Sequence, residues 1–107
     1  ATHLVVVDAP CSGSGTWRRT PEAKWRLTPE RLNELVGIQV EILAAVAPMV
    51  ASGGRIAYMT CSLLDVENFT QIEAFLAANP EWELCSQRSL TPLDGGDGFY
   101  SAIIRKP

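Results

Sequence analysis

The chain is 107 residues long, 47% hydrophobic and 20% charged, a composition that fits one globular domain with a core and excludes a disordered or fibrous chain. No stretch approaches the roughly 20 uninterrupted apolar residues that cross a bilayer. The longest candidate, Val36 to Ala51, is broken by Gln39, Glu41 and Pro48, and residues 1 to 16 lack a secretory signal pattern, so the expectation is a soluble, cytoplasmic protein with no membrane partner. The net charge of −3 argues against a polyanionic partner until its distribution is examined: residues 16 to 31 carry a local +3 and the remainder −6. Because screening confines each charge to about 10 Å, that basic segment suffices for phosphate contact, with a solvated surface loop as the alternative. Three cysteines, Cys11, Cys61 and Cys85, form no CxxC pair, so neither a disulfide framework nor a metal site is signalled and free thiols are expected.

The apolar, mostly β-branched run His3 to Val7 predicts a strand buried on both faces. Residues 9 to 27 follow as a loop rich in Pro, Gly, Ser and Thr, long enough to be suspected of function. Thr28-Pro29-Glu30-Arg31 has the signature of a helix start, with Thr as N-cap, Pro at the first helical position and an acid in the first turn. Apolar residues from Leu32 to Ala47 carry that helix to about Val50, and Ser52-Gly53-Gly54 is read as its end. Arg55 to Thr60 predicts a second strand. Asp65 to Asn79 predicts a second helix with Val66, Phe69, Ile72, Phe75 and Leu76 on one face and Asn79-Pro80 as its stop. Glu81 to Gln87 alternates like a third strand, Asp94 to Gly98 makes a turn, and Gly98 to Arg105 supplies a fourth strand.

Strands joined through helices run parallel with right-handed crossovers, whereas the fourth strand, reached without a helix, is expected to be antiparallel. Three parallel strands with intervening helices and a final antiparallel strand form the C-terminal half of the α/β Rossmann-like methyltransferase fold. Ligands of open α/β sheets gather outside the carboxyl ends of the strands. Asp8-Ala9-Pro10-Cys11 and Thr60-Cys61-Ser62 both fall at such ends, one helix and one strand apart, and are expected to be neighbours.

The segment Asp8 to Gly15, read DAPCSGSG, followed by Arg18-Arg19, then Thr60-Cys61-Ser62 with Glu67-Asn68, and Gly98-Phe99-Tyr100 near the end, resembles the RNA cytosine carbon-5 methyltransferases of the Sun (RsmB/Nop) family. The resemblance covers essentially the whole chain. It implies a methyl donor, S-adenosylmethionine, and an RNA substrate, in particular ribosomal RNA. In that family the donor's main glycine-rich loop and an acid precede the DxPC strand. The chain is therefore expected to be the C-terminal half of one catalytic domain, inactive alone. Ser12-Gly13-Ser14-Gly15 does not replace the missing loop, because it has neither dinucleotide glycine spacing nor the Gly-Lys of a phosphate loop. Phe69 stands where the family often has a second acid, an exchange that is tolerable if Phe69 faces the core. A non-catalytic RNA-binding or interaction module derived from such an enzyme, and more remotely half of a small-molecule methyltransferase, are the competing readings.

The chemistry gives two thiols separate tasks. Carbon 5 of cytosine becomes nucleophilic once a thiolate adds to carbon 6, and a base must later remove the carbon-5 proton. Cysteine suits the attack, being strongly nucleophilic with an ordinary pKa of about 8.5. The resemblance makes Cys61 the nucleophile and Cys11 the residue that assists release, inverted relative to DNA cytosine methyltransferases; composition does not choose between the two orders. It also gives Asp8 a place on the donor or the cytosine edge. Pro10 stiffens the loop, and Gly13 and Gly15 allow close backbone approach. Arg18, Arg19 and Lys24, with Arg26, are read as phosphate contacts. Trp17 and Trp25 are candidates for base stacking or loop packing, while Trp82 and Cys85 are read as packing and His3 has no role. If the first strand lacks a neighbour, its open edge is expected to promote self-association.

Overall fold

The computed structural model describes residues 2–16, 27–90 and 98–107. Trp17, Arg18, Arg19, Lys24, Trp25 and Arg26, and most of the Asp94 to Gly98 turn, lie outside the described residues. The described elements are β1 (Thr2–Asp8), α1 (Pro29–Val46), β2 (Val50–Thr60), α2 (Phe69–Ala78), β3 (Glu83–Leu90) and β4 (Phe99–Arg105), with short 3-10 turns at Ser14–Thr16, Ala47–Met49 and Asp65–Glu67. The sheet order is β1-β2-β4-β3. β1 and β2 are parallel and β4 is antiparallel to both β2 and β3, so β3 runs with β1 and β2. The predicted set of three parallel strands and one antiparallel strand is present, with the last strand inserted between the second and third.

Alternation along the strands makes one buried face. Val5 and Val7 pair with Ile56 and Tyr58, which pair in turn with Ile104 and Ala102, and this layer meets Leu43, Ile72 and Phe75 from the helices. Trp82 packs edge-on against Phe75 at 5.1 Å between ring centroids, as the packing assignment requires. The alternate face of β1 is open: Leu4 and Val6 are 54% and 56% exposed, so β1 is not buried on both faces. Thr28 caps α1 as expected, its Oγ1 accepting the Arg31 N–H at 3.0 Å. The helix with its 3-10 extension, Pro29–Met49, is long and apolar enough to cross a membrane by length and composition, a test that a core helix also passes. Here Leu35, Gln39 and Leu43 bury one face of it.

Several boundaries differ for identifiable reasons. The tight turn at Pro48 closes α1 early, and β2 starts at Val50, so Ser52-Gly53-Gly54 lies inside the strand rather than ending the helix. Gly53 there has φ of 78°, left-handed backbone that glycine adopts without strain, at a jump of register from Thr2↔Val50 to Leu4↔Arg55. The Lys106 ammonium reaches the Ala47 and Val50 carbonyls at 3.3 and 3.0 Å and satisfies that helix end. The predicted second helix is split at Asn68, whose backbone is non-helical. Val66 and Phe69 consequently leave the helical phase assumed for them and are 43% and 39% exposed; Phe69 does not face the core. β3 begins two residues later than predicted and bulges between Leu84 and Ser86. One residue on from Leu84, Cys85 falls with Glu83 on the outward side of the strand and is exposed rather than packed.

Candidate active site

The two cysteine segments leave the sheet side by side. β1 and β2 stay in register to Asp8↔Met59, the Ala9 N–H extends the ladder to the Met59 carbonyl at 2.9 Å, and the Gly15 N–H reaches the Cys61 carbonyl at 2.8 Å. Cys61 is exposed at the end of β2, and Cys11 is half-buried. The Cys11 sulfur receives backbone N–H groups of Gly13 and Cys61. Burial pushes the Cys11 thiol above its ordinary value; those two N–H groups oppose the shift, and the neighbouring Glu67 and Cys61 add to it. Asp8 is exposed at the end of β1, and its carboxylate has no hydrogen bond or ion pair with the described residues. Pro10 is exposed, and its carbonyl accepts from Gln39 Nε2 at 2.8 Å. The assigned positions Asp8, Pro10, Cys11 and Cys61 are thus brought together; Arg18, Arg19 and Lys24 lie outside the described residues.

Glycines bring the third loop in. The Gly98 N–H donates to the Gly15 carbonyl at 2.7 Å. A Cβ on Gly15 would fall inside the Gly98 carbonyl, and one on Gly98 would collide with Leu63 and with the Gly15 backbone. Gly13 adopts φ of 72°. The close approach inferred for Gly15 is therefore an approach to other backbone of the same chain.

Below the cysteines lies a buried polar network. Ser62 Oγ donates to Glu67 Oε1 at 2.6 Å, and Glu67 Oε2 accepts the Ser12 N–H at 2.8 Å and Gln39 Nε2 at 3.0 Å. Gln71 Nε2 donates to Gln39 Oε1 at 3.0 Å and to the Val36 carbonyl at 2.8 Å. Ser14 Oγ lies 3.2 Å from Ser62 Oγ and accepts the Leu63 N–H at 2.7 Å. Asn68 uses both ends of its amide, accepting from Thr60 Oγ1 at 2.5 Å and donating to the Ser62 carbonyl at 2.8 Å, which is why the helix breaks there. Glu67 and Gln39 are fully buried, and Gln71 is 3% exposed, so these groups depend on one another for hydrogen bonds.

A family model described as 16S rRNA methyltransferase RsmB/F matches residues 3–104. The chain belongs to this family. Ribosomal RNA small subunit methyltransferase B of Proteus mirabilis is 43% identical over 103 residues, covering 95% of this chain and 24% of that protein. The Escherichia coli protein of the same name (strain SMS-3-5) is 40% identical over 111 residues, covering 95% of this chain and 26% of its own length. The chain spans about a quarter of the length of these relatives. Among solved structures, PH0851 superposes with a TM-score of 0.93 at 34% identity, covering 97% of this chain and 26% of that one. A methyltransferase homolog from Pyrococcus horikoshii gives 0.81 at 26% identity, covering 98% and 39%. In this RsmB/F-family chain, sequence reasoning quoted Glu67-Asn68 without a role and treated Gln39 only as a break in an apolar run. A readable signal was present: Gln39 sits four residues from both Leu35 and Leu43, on the helix face bound for the core.

Proposed function

We propose that this chain is the C-terminal half of a catalytic domain that methylates carbon 5 of cytosine in ribosomal RNA, by way of a covalent adduct on Cys61. The observation that carries the reading is the pair of cysteine loops leaving adjacent parallel strands and bonded to each other, Gly15 N–H to Cys61 carbonyl, within a chain of the RsmB/F family. S-adenosylmethionine supplies an electrophilic methyl group. Asp8, exposed and unpaired among the described residues, suits an acceptor for the donor or for the cytosine edge.

The Cys61 thiolate adds to carbon 6, and the electron pair displaced onto carbon 5 forms the new bond to the methyl group, whose bond to the donor sulfur breaks with its electron pair kept by the departing thioether. Removal of the carbon-5 proton then restores the ring double bond as the Cys61 sulfur leaves. The exposure of Cys61 supports its role as attacking group. Cys11 is half-buried, and burial holds its thiol above the ordinary value; once that thiol has given its proton to solvent, the resulting thiolate is the stronger base for taking the carbon-5 proton onto its sulfur. Arg18, Arg19 and Lys24 belong to the proposal as contacts to RNA phosphates. The target base has to be unstacked, at about a few kcal/mol when it starts in a duplex.

With the donor-binding half present, incubation with ribosomal RNA and labelled donor should yield 5-methylcytidine in nuclease digests. A label on any other nucleoside sinks the reading. The isolated chain should show no measurable donor affinity by calorimetry. Self-association through β1, whose Leu4 and Val6 are exposed, completes the proposal. Sedimentation should show species that grow with concentration, and a monomer throughout would remove this part.

A further inference from the structure

Glu67 is a fully buried carboxylate to which none of the described lysines or arginines is paired. Burial of such a group is costly unless hydrogen bonds replace the lost water. Its partners are placed with a symmetry the motifs do not announce. Oε2 accepts the N–H of Ser12, the residue after Cys11; Oε1 accepts the hydroxyl of Ser62, the residue after Cys61. Gln39 adds a brace from α1, giving one N–H to Glu67 and one to the carbonyl of Pro10, the residue before Cys11. The Tyr58 hydroxyl fixes the Glu67 backbone from the sheet, donating to its carbonyl at 2.7 Å.

We propose that Glu67 is a positioning residue that locks the two cysteine loops to each other, one carboxylate holding the residue that follows Cys11 and the residue that follows Cys61. Its value to catalysis rests on the two-thiol reading above, because attack and proton removal on one base require a fixed separation of the thiols. Glu67 touches neither RNA nor donor in this role. It also carries a charge beside Cys11, whose facing titratable groups among the described residues are Glu67, Cys61 and Tyr58.

The geometry offers a variant that separates charge from shape. In Glu67→Gln the amide oxygen can keep the Ser12 and Gln39 bonds at the Oε2 position. The amide nitrogen then donates to Ser62 Oγ, whose hydroxyl turns to Ser14 Oγ, 3.2 Å away. The chain should therefore fold, and Cys11 should lose the nearby charge. Alkylation of Cys11 followed against pH by peptide mass spectrometry on the whole chain should show its midpoint moved to lower pH in Glu67→Gln. An unchanged Cys11 profile would place the Glu67 carboxylate away from the Cys11 loop that it is proposed to hold, and overturns the proposal. In Glu67→Ala, hydrogen exchange at the Ser12 amide and at the Ser62 to Leu64 amides should rise together, by about 10-fold or more, with the Ile56 and Ile104 amides unchanged. A rise in one loop alone also overturns it; if Glu67→Ala does not fold, the Glu67→Gln profile decides. Neither measurement reads methyl transfer, so failure of the clamp and failure of the proposed reaction are told apart.

Discussion

Replacing Cys61 with alanine in a chain that carries the donor-binding half should lower methyl transfer by at least about 10⁴-fold and abolish the covalent adduct with 5-fluorocytosine RNA. Fluorine at carbon 5 leaves no proton to remove there, so the adduct accumulates after attack and reports the first thiol alone. Cys11→Ala should keep that adduct and behave differently on ordinary RNA. Attack and methylation proceed, release slows by about 10²- to 10⁴-fold, and RNA stays bound to the protein through denaturing electrophoresis. The asymmetry follows from placement: Cys61 is open to a base, whereas Cys11 is half-buried between its own loop and the Cys61 backbone. If Cys61→Ala traps ordinary RNA and Cys11→Ala forms no adduct, the roles are exchanged and the order is that of the DNA enzymes.

The elements that place these thiols were legible because their signals are local. Thr28-Pro29 announces a helix start through its own side chain and ring, and the run Gly98 to Arg105 after a glycine-rich turn announces the fourth strand. The parallel run of β1 and β2 follows from the helix between them. What escaped the sequence depends on partners distant in the chain. Asn68 looks helical until Thr60 and the Ser62 carbonyl claim its amide. Ser52-Gly53-Gly54 looks like a helix end until Gly53 pairs with Lys106, its N–H donating to that carbonyl at 2.9 Å. The site divides in the same way. Both cysteines could be named from their motifs and strand ends, whereas Glu67, Gln39 and Gln71 join residues 28 to 55 positions apart, a distance over which spacing carries no signal.

Alkali should unfold this chain from within. Burial, with Glu67, Cys11 and Tyr100 as like-charged neighbours, pushes the Tyr58 phenol far above its ordinary value of 10.0. Burial and Asp65 push Tyr100 up to about 12. A raised pKa means that the folded state keeps its proton where the unfolded chain has lost it, so these groups contribute full stability below pH 10 and lose it as pH climbs through the folded value. The Tyr100 shift corresponds to at most about 3 kcal/mol, less to the extent that water reaches its hydroxyl beside exposed Gln87, 2.9 Å away. Cys11, its thiol raised by burial, adds the same sign. Urea midpoints taken between about pH 8 and 12 should therefore fall steeply at the alkaline end. Tyr58→Phe should start about 1–3 kcal/mol lower, since the Glu67 carbonyl loses its donor, and then fall less. Parallel decline of the variant and the parent chain would show that Tyr58 does not titrate as its burial demands. The tyrosines also bound the window for the Cys11 titration: below their transition a change in thiol reactivity reports ionisation, whereas above it reactivity gained at Cys11 reports an opened fold.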